Sequence, residues 1–379
     1  MIAILLVALN LRAAIASVPP LTDVIAADLG LSAPAVGLLT TLPVLCMGAF
    51  APVGPLATQR FRLDRMVAVS VAFILAGTAM RIVENVHVLY ASTLFAGVGI
   101  AVAGVLLPPI VRARFPSRVG PVTGAYTSVL IGGALLGASL TGPLHSGLGL
   151  SWGASLAVWC VPAVLGLTAW LLRAPPAPPT NATRTRWPWR DRRAWAATLF
   201  MGTQSLLFYT ELAWLAPRYT AIGYGTATAG LLLGLFSLTQ VFSAFAVPWM
   251  AHRLGRTGPL VALCLVPTTP VLLGLAYAPR SLAWVFVAVL GFGAGGLLAL
   301  ALTIVSGLGR DPGYTAAVSG MAFFVGYLIS ATGPVLGGVL RAATGGYEAV
   351  FASLAALSVV VLGLGLLAGR PERGHPSRP

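Results

Sequence analysis

Apolar residues run along this chain in blocks of about 20, the length a helix needs to cross the hydrocarbon core of a bilayer. Short polar breaks part the blocks at 1–21, 34–58, 66–83, 87–112, 120–144, 151–173, 194–216, 226–251, 258–277, 281–307, 313–340 and 347–369. The pattern predicts an all-α membrane protein of twelve transmembrane helices. One break is long: residues 174–193 (APPAPPTNATRTRWPWRDRR) are rich in Pro early and in Arg late. This stretch reads as a cytoplasmic linker between a six-helix bundle at 1–173 and a second at 194–369, with a tail at 370–379. The linker's basic end is expected to lie near anionic headgroups.

Composition agrees with this reading. The chain is 58% hydrophobic, only 8% charged, and has a mean hydropathy of +0.91. A soluble globule could not hide that much apolar surface behind a polar skin. The net charge of +14 would suggest nucleic acid in a soluble protein, but its placement matters more. Every basic residue is arginine, and eighteen of the 23 fall in alternate loops, the linker and the tail. The opposite loops hold Arg81, Arg218, Arg280 and Arg341. This asymmetry predicts that both termini and the linker face the cytoplasm of a bacterial plasma membrane. The run 1–21 is no secretory leader, because it lacks a basic n-region and carries Asn10 and Arg12 within its apolar core.

Residue types exclude several functions. Cys46, Cys160 and Cys264 lie far apart in apolar runs, and the four histidines fall at segment ends or in the tail. No metal site, cofactor, redox motif or nucleic-acid partner is expected. Gly97-Val98-Gly99 is no nucleotide loop, since it sits within a membrane run.

The two halves resemble each other. An offset of 193 to 194 residues lays Leu29-Gly30 on Ile222-Gly223, Gly37-Leu38-Leu39 on Gly230-Leu231-Leu232, Arg60 on Arg253 and Gly97-Val98-Gly99 on Gly291-Phe292-Gly293. A near-constant offset through several helices predicts two parallel repeats. In parallel six-helix repeats the substrate lies between the halves near the midplane.

Candidate site residues are the polar groups inside spans. Arg12 lies near mid-membrane, where an arginine costs about 2.5–3.5 kcal/mol on insertion scales unless it faces water or a partner. It is expected to line a central cavity and bind an anionic or electron-rich group, although a permanent carboxylate partner would also explain it. Asn10 is two residues away and cannot share its face; a bond to a neighbouring helix competes with a cavity role. In the seventh run, Gln204, Phe208 and Glu211 follow i, i+4, i+7 and share a face, with the Tyr209 hydroxyl in reach of the rim. In the eleventh run, Tyr327 and Ser330 share a face, Tyr327 being the better candidate and Ser330 equally suited to bonding within the bundle. Glu211 is the one carboxylate placed well inside a span, and so the candidate for proton coupling; Arg12, on the symmetry-related helix, is its expected neighbour across the cavity.

Three blocks, LNLRAAIASVPPLTDVIAADLGLSAPAVGLLTTLPVLCMGAFAPV (9–53), QSLLFYTELAWLAPRY (204–219) and SGMAFFVGYLISATGPVLGG (319–338), resemble the major facilitator superfamily and, within it, the cyanate and 2-nitroimidazole transporter family. The resemblance covers essentially the whole chain. It implies secondary active transport of a small solute by alternating access in a monomer, without ATP and with protons as possible partners. The superfamily's Asp-Arg pair after the second helix is incomplete here: Gly54-Pro55-Leu56-Ala57 leads into Thr58-Gln59-Arg60. Arg60, Asp64 and Arg253 are the cytoplasmic gate candidates, with Asp64 standing in for the missing acid. A small anion such as cyanate is the expected substrate, because of Arg12; drug or nitroaromatic efflux is the alternative. An integral-membrane enzyme is the competitor of another class, and the scattered acids and histidines offer it no cluster.

The topology can be tested in a cysteine-free background. Cysteines engineered at 146 and 278 are expected to react with an impermeant external reagent, and one at 183 to be protected. Strong external labelling at 183 would reverse the orientation.

Overall fold

Residues 1–52, 62–173, 187–277, 282–308 and 312–369 are described in a computed structural model. They hold fourteen α-helices, two short 3₁₀ turns and no strand. The helices are α1 (Ile2–Ala16), α2 (Thr22–Leu29), α3 (Ala33–Phe50), α4 (Leu63–Met80), α5 (Val86–Arg114), α6 (Val119–Leu148), α7 (Trp152–Ala157), α8 (Cys160–Arg173), α9 (Arg192–Ala221), α10 (Thr226–Leu254), α11 (Gly258–Tyr277), α12 (Ala283–Gly307), α13 (Pro312–Thr344) and α14 (Glu348–Ala368). Two rods are built from a pair of helices, α1 with α2 and α7 with α8, which leaves twelve rods. With no water in the bilayer core, a helix satisfies its own backbone polar groups, and that accounts for the near-absence of other structure.

The first rod is longer than the apolar run 1–21. Pro19 and Pro20 do not end it; they open a 3₁₀ turn, Pro19–Leu21, where a missing N–H costs nothing, and α2 carries the rod on to Leu29. The sixth rod breaks between Ala157 and Cys160. Pro162 cannot donate to the carbonyl four residues back, and its ring crowds that turn. Gly30 and Gly223, aligned by the internal offset, both take positive φ (63° and 94°) where the first rod of each half ends. A side chain with a Cβ would be strained there.

Eleven rods are long and apolar enough to span a membrane. The other, α9, is 30 residues long but more polar, and most of its length is buried. It is flanked by α10, α12, α13 and α14. Protein rather than lipid surrounds it, so it does not need an apolar surface.

Packing recurs in the two sets of six rods. Within the first, α1 packs on α6 and α8, α3 on α5, and α4 on α5 and α8. Within the second, α9 packs on α13 and α14, α10 on α12, and α11 on α12 and α14. The sets meet through α3 against α13 and α6 against α10.

Those two crossings are close because glycines line them. A Cβ on Gly37 would lie 2.5 Å from the Pro334 carbonyl oxygen, and one on Gly338 would strike Ala33. At the other crossing, a Cβ on Gly142 would lie 2.6 Å from the Thr226 oxygen, and one on Gly230 2.7 Å from that of Ala138. The Thr41 hydroxyl adds a hydrogen bond across the first crossing, to the Ala331 carbonyl at 2.8 Å. These contacts concentrate in the half of the bundle far from the chain termini. Nearer the termini, Gly124 on α6 faces open space.

Gly37→Val should therefore disturb this closed end. Overpacking of this kind costs roughly 1–3 kcal/mol. The expected result is a lower unfolding temperature or, if the halves part to relieve the clash, faster labelling of a cysteine placed at Thr226. A variant matching the parent in both measurements would mean that α3 and α13 do not pack this closely.

Candidate functional site

Arg12 leaves α1 toward the second set of rods. Its guanidinium carbon lies 5.2 Å from the centre of the Phe208 ring and 5.7 Å from that of Tyr209, both on α9. Among the described residues it finds no carboxylate and no hydrogen-bond acceptor. Stacking on aromatic faces steadies a guanidinium electrostatically but leaves its charge and its edge N–H groups uncommitted. The permanent carboxylate partner that sequence left open is absent from the described residues.

A pocket surrounds this cation. Arg12, Gln204, Ser205, Phe208, Tyr209, Gln240, Ala294, Leu298 and Tyr327 line it, drawing on α1, α9, α10, α12 and α13. The clear space in this conformation is narrow, about 10 Å³, room for no more than a single water. Aromatic rings form much of the wall. Phe208 stacks on Phe236 at 5.9 Å and meets Tyr209 edge-on at 4.8 Å, while Tyr327 stacks on Phe323 at 5.8 Å. The Tyr209 hydroxyl points to the Met47 sulfur, 3.6 Å away on α3, so this side chain touches both halves. The Gln204 amide is tethered locally, its Nε2 donating to Ser205 Oγ at 2.7 Å and to the Met201 carbonyl at 3.2 Å.

The structure thus brings together Arg12, Gln204, Phe208, Tyr209 and Tyr327. It places three other candidates elsewhere. Asn10 is buried and donates through Nδ2 to the Leu6 carbonyl at 2.7 Å and the Pro162 carbonyl at 2.9 Å, beside Gly166. It ties α1 to the break in the sixth rod, away from the pocket. Ser330 is fully buried and donates back to the Gly326 carbonyl at 2.6 Å. Glu211 lies on α9 beyond Phe208, 1% exposed, and outside the pocket lining. Neither of its carboxylate oxygens meets a hydrogen-bond donor among the described residues, and no ion pair joins it to Arg12. The i, i+4, i+7 stripe curves out of the pocket at its third member.

Ser205, Gln240, Ala294 and Leu298 were not singled out from sequence. Gln240 was findable, being the one amide in α10; the two apolar residues carry no such signal.

Of the gate candidates, the two that are described, Asp64 and Arg253, have different partners. Arg60 lies outside the described residues. Asp64 forms an ion pair with Arg114, whose guanidinium sits 5.0 Å from the Trp170 ring, all within the first set of rods. Arg253 is exposed and folds over Trp249 of its own helix, 4.1 Å from the ring.

At the opposite end, contacts bridge the halves that no sequence motif had marked. The Thr220 hydroxyl on α9 hydrogen-bonds the Asp23 carboxylate on α2. Arg341 of α13 approaches the same carboxylate at 3.9 Å and stacks over Tyr347 at 4.5 Å. Two further arginines of this end, Arg81 and Arg218, are absorbed by structure. Arg81 donates to the Ala14 carbonyl at 2.9 Å, and Arg218 to those of Leu275 and Ala276 at 2.9 and 2.8 Å. Each ties the first and third rods of its own half together.

Comparison with known proteins agrees with this architecture. The Major Facilitator Superfamily model matches residues 1–334. Over 376 residues the chain is 33% identical to the 2-nitroimidazole transporter of Escherichia coli K12, covering 97% of this chain and 95% of that protein. It is 30% identical to the cyanate transport protein CynX of the same organism, over 96% of each. Among solved structures, an inward-facing, unoccupied bacterial homologue of the human lysosomal transporter Spinster superposes with a TM-score of 0.79 at 14% identity, covering 97% of this chain and 96% of that one.

Proposed function

We propose that this chain, which belongs to the major facilitator superfamily, carries a small anion such as cyanate across a bacterial plasma membrane, by secondary transport with alternating access. Membership itself makes it a multi-pass membrane transporter of small molecules; substrate, energy source and direction are our reading. The observation that carries it is Arg12, a cation at the junction of the two halves with no anionic partner among the described residues. An uncompensated charge at that depth is costly. An anion entering the pocket would meet donors already held in place by stacking, which lowers the cost of ordering them. The narrow space would have to widen less for a linear or planar solute than for a bulky one.

A second reading, transport of a nitroaromatic compound, is favoured by the pocket rings of Phe208, Tyr209 and Tyr327, backed by Phe236 and Phe323. Nitro oxygens would accept from the same guanidinium, and the ring could slide between aromatic faces. Widening of the pocket as the halves part would be required.

The reading of two repeats is supported by packing that recurs after six rods and by the paired crossings α3–α13 and α6–α10. With the termini in the cytoplasm, the glycine-lined closure lies outside and the conformation is inward-facing. In the other state the terminal-side ends come together, and Asp64 and Arg253 stand at that end of their halves. The protein works as a monomer, since the site lies within one chain.

Arg12→Ala is expected to leave a folded protein whose apparent affinity for cyanate in proteoliposomes falls roughly ten- to hundred-fold, the loss of one hydrogen-bonded charge. Arg12→Lys should restore little, because an ammonium cannot fork onto two acceptors. Unchanged kinetics in Arg12→Ala would end the anion reading. Nitroimidazole flux in the same vesicles separates the two readings.

Glu211 is proposed as the coupling residue. An ionised carboxylate without donors is costly to bury, and taking up a proton removes that cost. Reprotonation from one face and release to the other would then link the proton gradient to the pocket, one helical turn away. Glu211→Gln should keep substrate exchange and lose uphill accumulation. If accumulation persists, Glu211 has no part in coupling.

A further inference from the structure

A second recess lies on the outer wall of the bundle, at the end that carries the termini. It has a volume of about 540 Å³ and runs between α4 and α5, lined by Arg62, Arg65, Met66, Val69, Ser70, Phe73, Val98, Gly99 and Val102. Its apolar part faces outward: Val69 is 56% exposed and Phe73 37% exposed, and Phe73 stacks on the equally outward Phe95 at 5.3 Å. Its mouth is basic. Arg62 and Arg65 are both exposed, and neither meets an acidic partner among the described residues. The one acid beside them, Asp64, is engaged by Arg114, so it does not cancel their charge.

Depth gives the recess a scale. From Arg62 to Phe73 is eleven residues, or about 16 Å along a helix at 1.5 Å per residue. That is close to half of a hydrocarbon core of about 30 Å. The recess therefore runs from the headgroup level to the bilayer's middle, within a single leaflet. A free anion would use only the mouth, and an apolar helix from another protein would leave the two cations without a counterpart. A molecule with a negative head and an apolar tail one leaflet long complements the whole surface.

We propose that this recess binds an anionic phospholipid, its headgroup phosphate held by Arg62 and Arg65 and an acyl chain laid against Val69, Phe73, Val98 and Val102. The surrounding lipid is as apolar as the groove, so the tail provides fit and the arginines provide selection. The site is separate from the central pocket and stands whatever solute that pocket carries.

The experiment is native mass spectrometry of the full chain, purified in detergent and titrated with phosphatidylglycerol, phosphatidylcholine or sn-glycerol 3-phosphate. The wild type is expected to retain phosphatidylglycerol in preference to phosphatidylcholine. Arg62→Ala with Arg65→Ala should weaken that retention roughly thirty-fold, as two headgroup contacts would. Val69→Trp, which fills the groove and leaves both arginines, should weaken it as well, and provides a second reading if the double variant folds poorly. Arg118→Ala removes an exposed arginine of the same end outside the groove and should change nothing. Equal retention of both lipids by the wild type would overturn the proposal, as would undiminished retention in the groove variants. Displacement of the lipid by glycerol phosphate at matched concentration would reduce the site to a plain phosphate contact and overturn it too.

Discussion

Helices in a bilayer gain no hydrophobic free energy by touching one another, because lipid is as apolar as a leucine face. What holds this bundle together has to come from close packing and from polar groups shared between helices. The glycines at the two crossings meet the first demand. Gly37 and Gly338 admit α13 to the backbone of α3, and Gly142 and Gly230 admit α10 to that of α6. A contact made of backbone and small side chains is short-ranged and nearly planar, so it can open as a unit. The same physics that assembles the halves also lets them separate.

Polar groups divide by what they bond. Most intramembrane hydroxyls turn back on their own helix, as Ser330 does on Gly326 and Thr141 on Gly137. Asn10, Arg81 and Arg218 reach other helices and stitch each half internally. Against that background the few groups left unspent stand out. Arg12 has charge and donors to offer and aromatic faces for support; Glu211 has acceptor capacity and no donor among the described residues. Arg12 lies where the halves meet and Glu211 is buried on α9, and structural needs satisfy neither.

The many-helix membrane fold was legible because it rests on the length and spacing of apolar runs, and these survive errors of a few residues. The seventh rod was legible from its length although it is the most polar of the twelve, since a helix surrounded by protein need not present an apolar face to lipid. Boundaries were less legible: the first run was read as ending at residue 21, whereas Pro19 and Pro20 open a turn and α2 carries the rod on to Leu29. The pocket was legible where a residue's own chemistry was out of place in lipid, as with Arg12, Gln204 and Tyr327. It was illegible where position alone matters, as with Ala294 and Leu298. Asp23, Thr220 and Arg341 were missed for a different reason. They sit at rod ends, where polar residues are ordinary, and only the fold shows that their ends belong to opposite halves.

Helical periodicity also misplaced Glu211, and the reason bears on the mechanism. Residues at i, i+4 and i+7 share a stripe, but a cavity between two tilted bundles has a floor as well as a wall. Phe208 forms part of that floor by stacking on Phe236, so one turn further along α9 the same stripe runs beneath it and into protein. A carboxylate in front of the ring would pair directly with Arg12, and the two charges would cancel, leaving little for a substrate. Glu211 is instead buried further along α9, outside the pocket lining, and no ion pair joins it to Arg12. Without that pairing, the Arg12 guanidinium and the Glu211 carboxylate are each left without an opposite charge among the described residues, which is why both stand out against a bundle most of whose other polar groups are spent on structure.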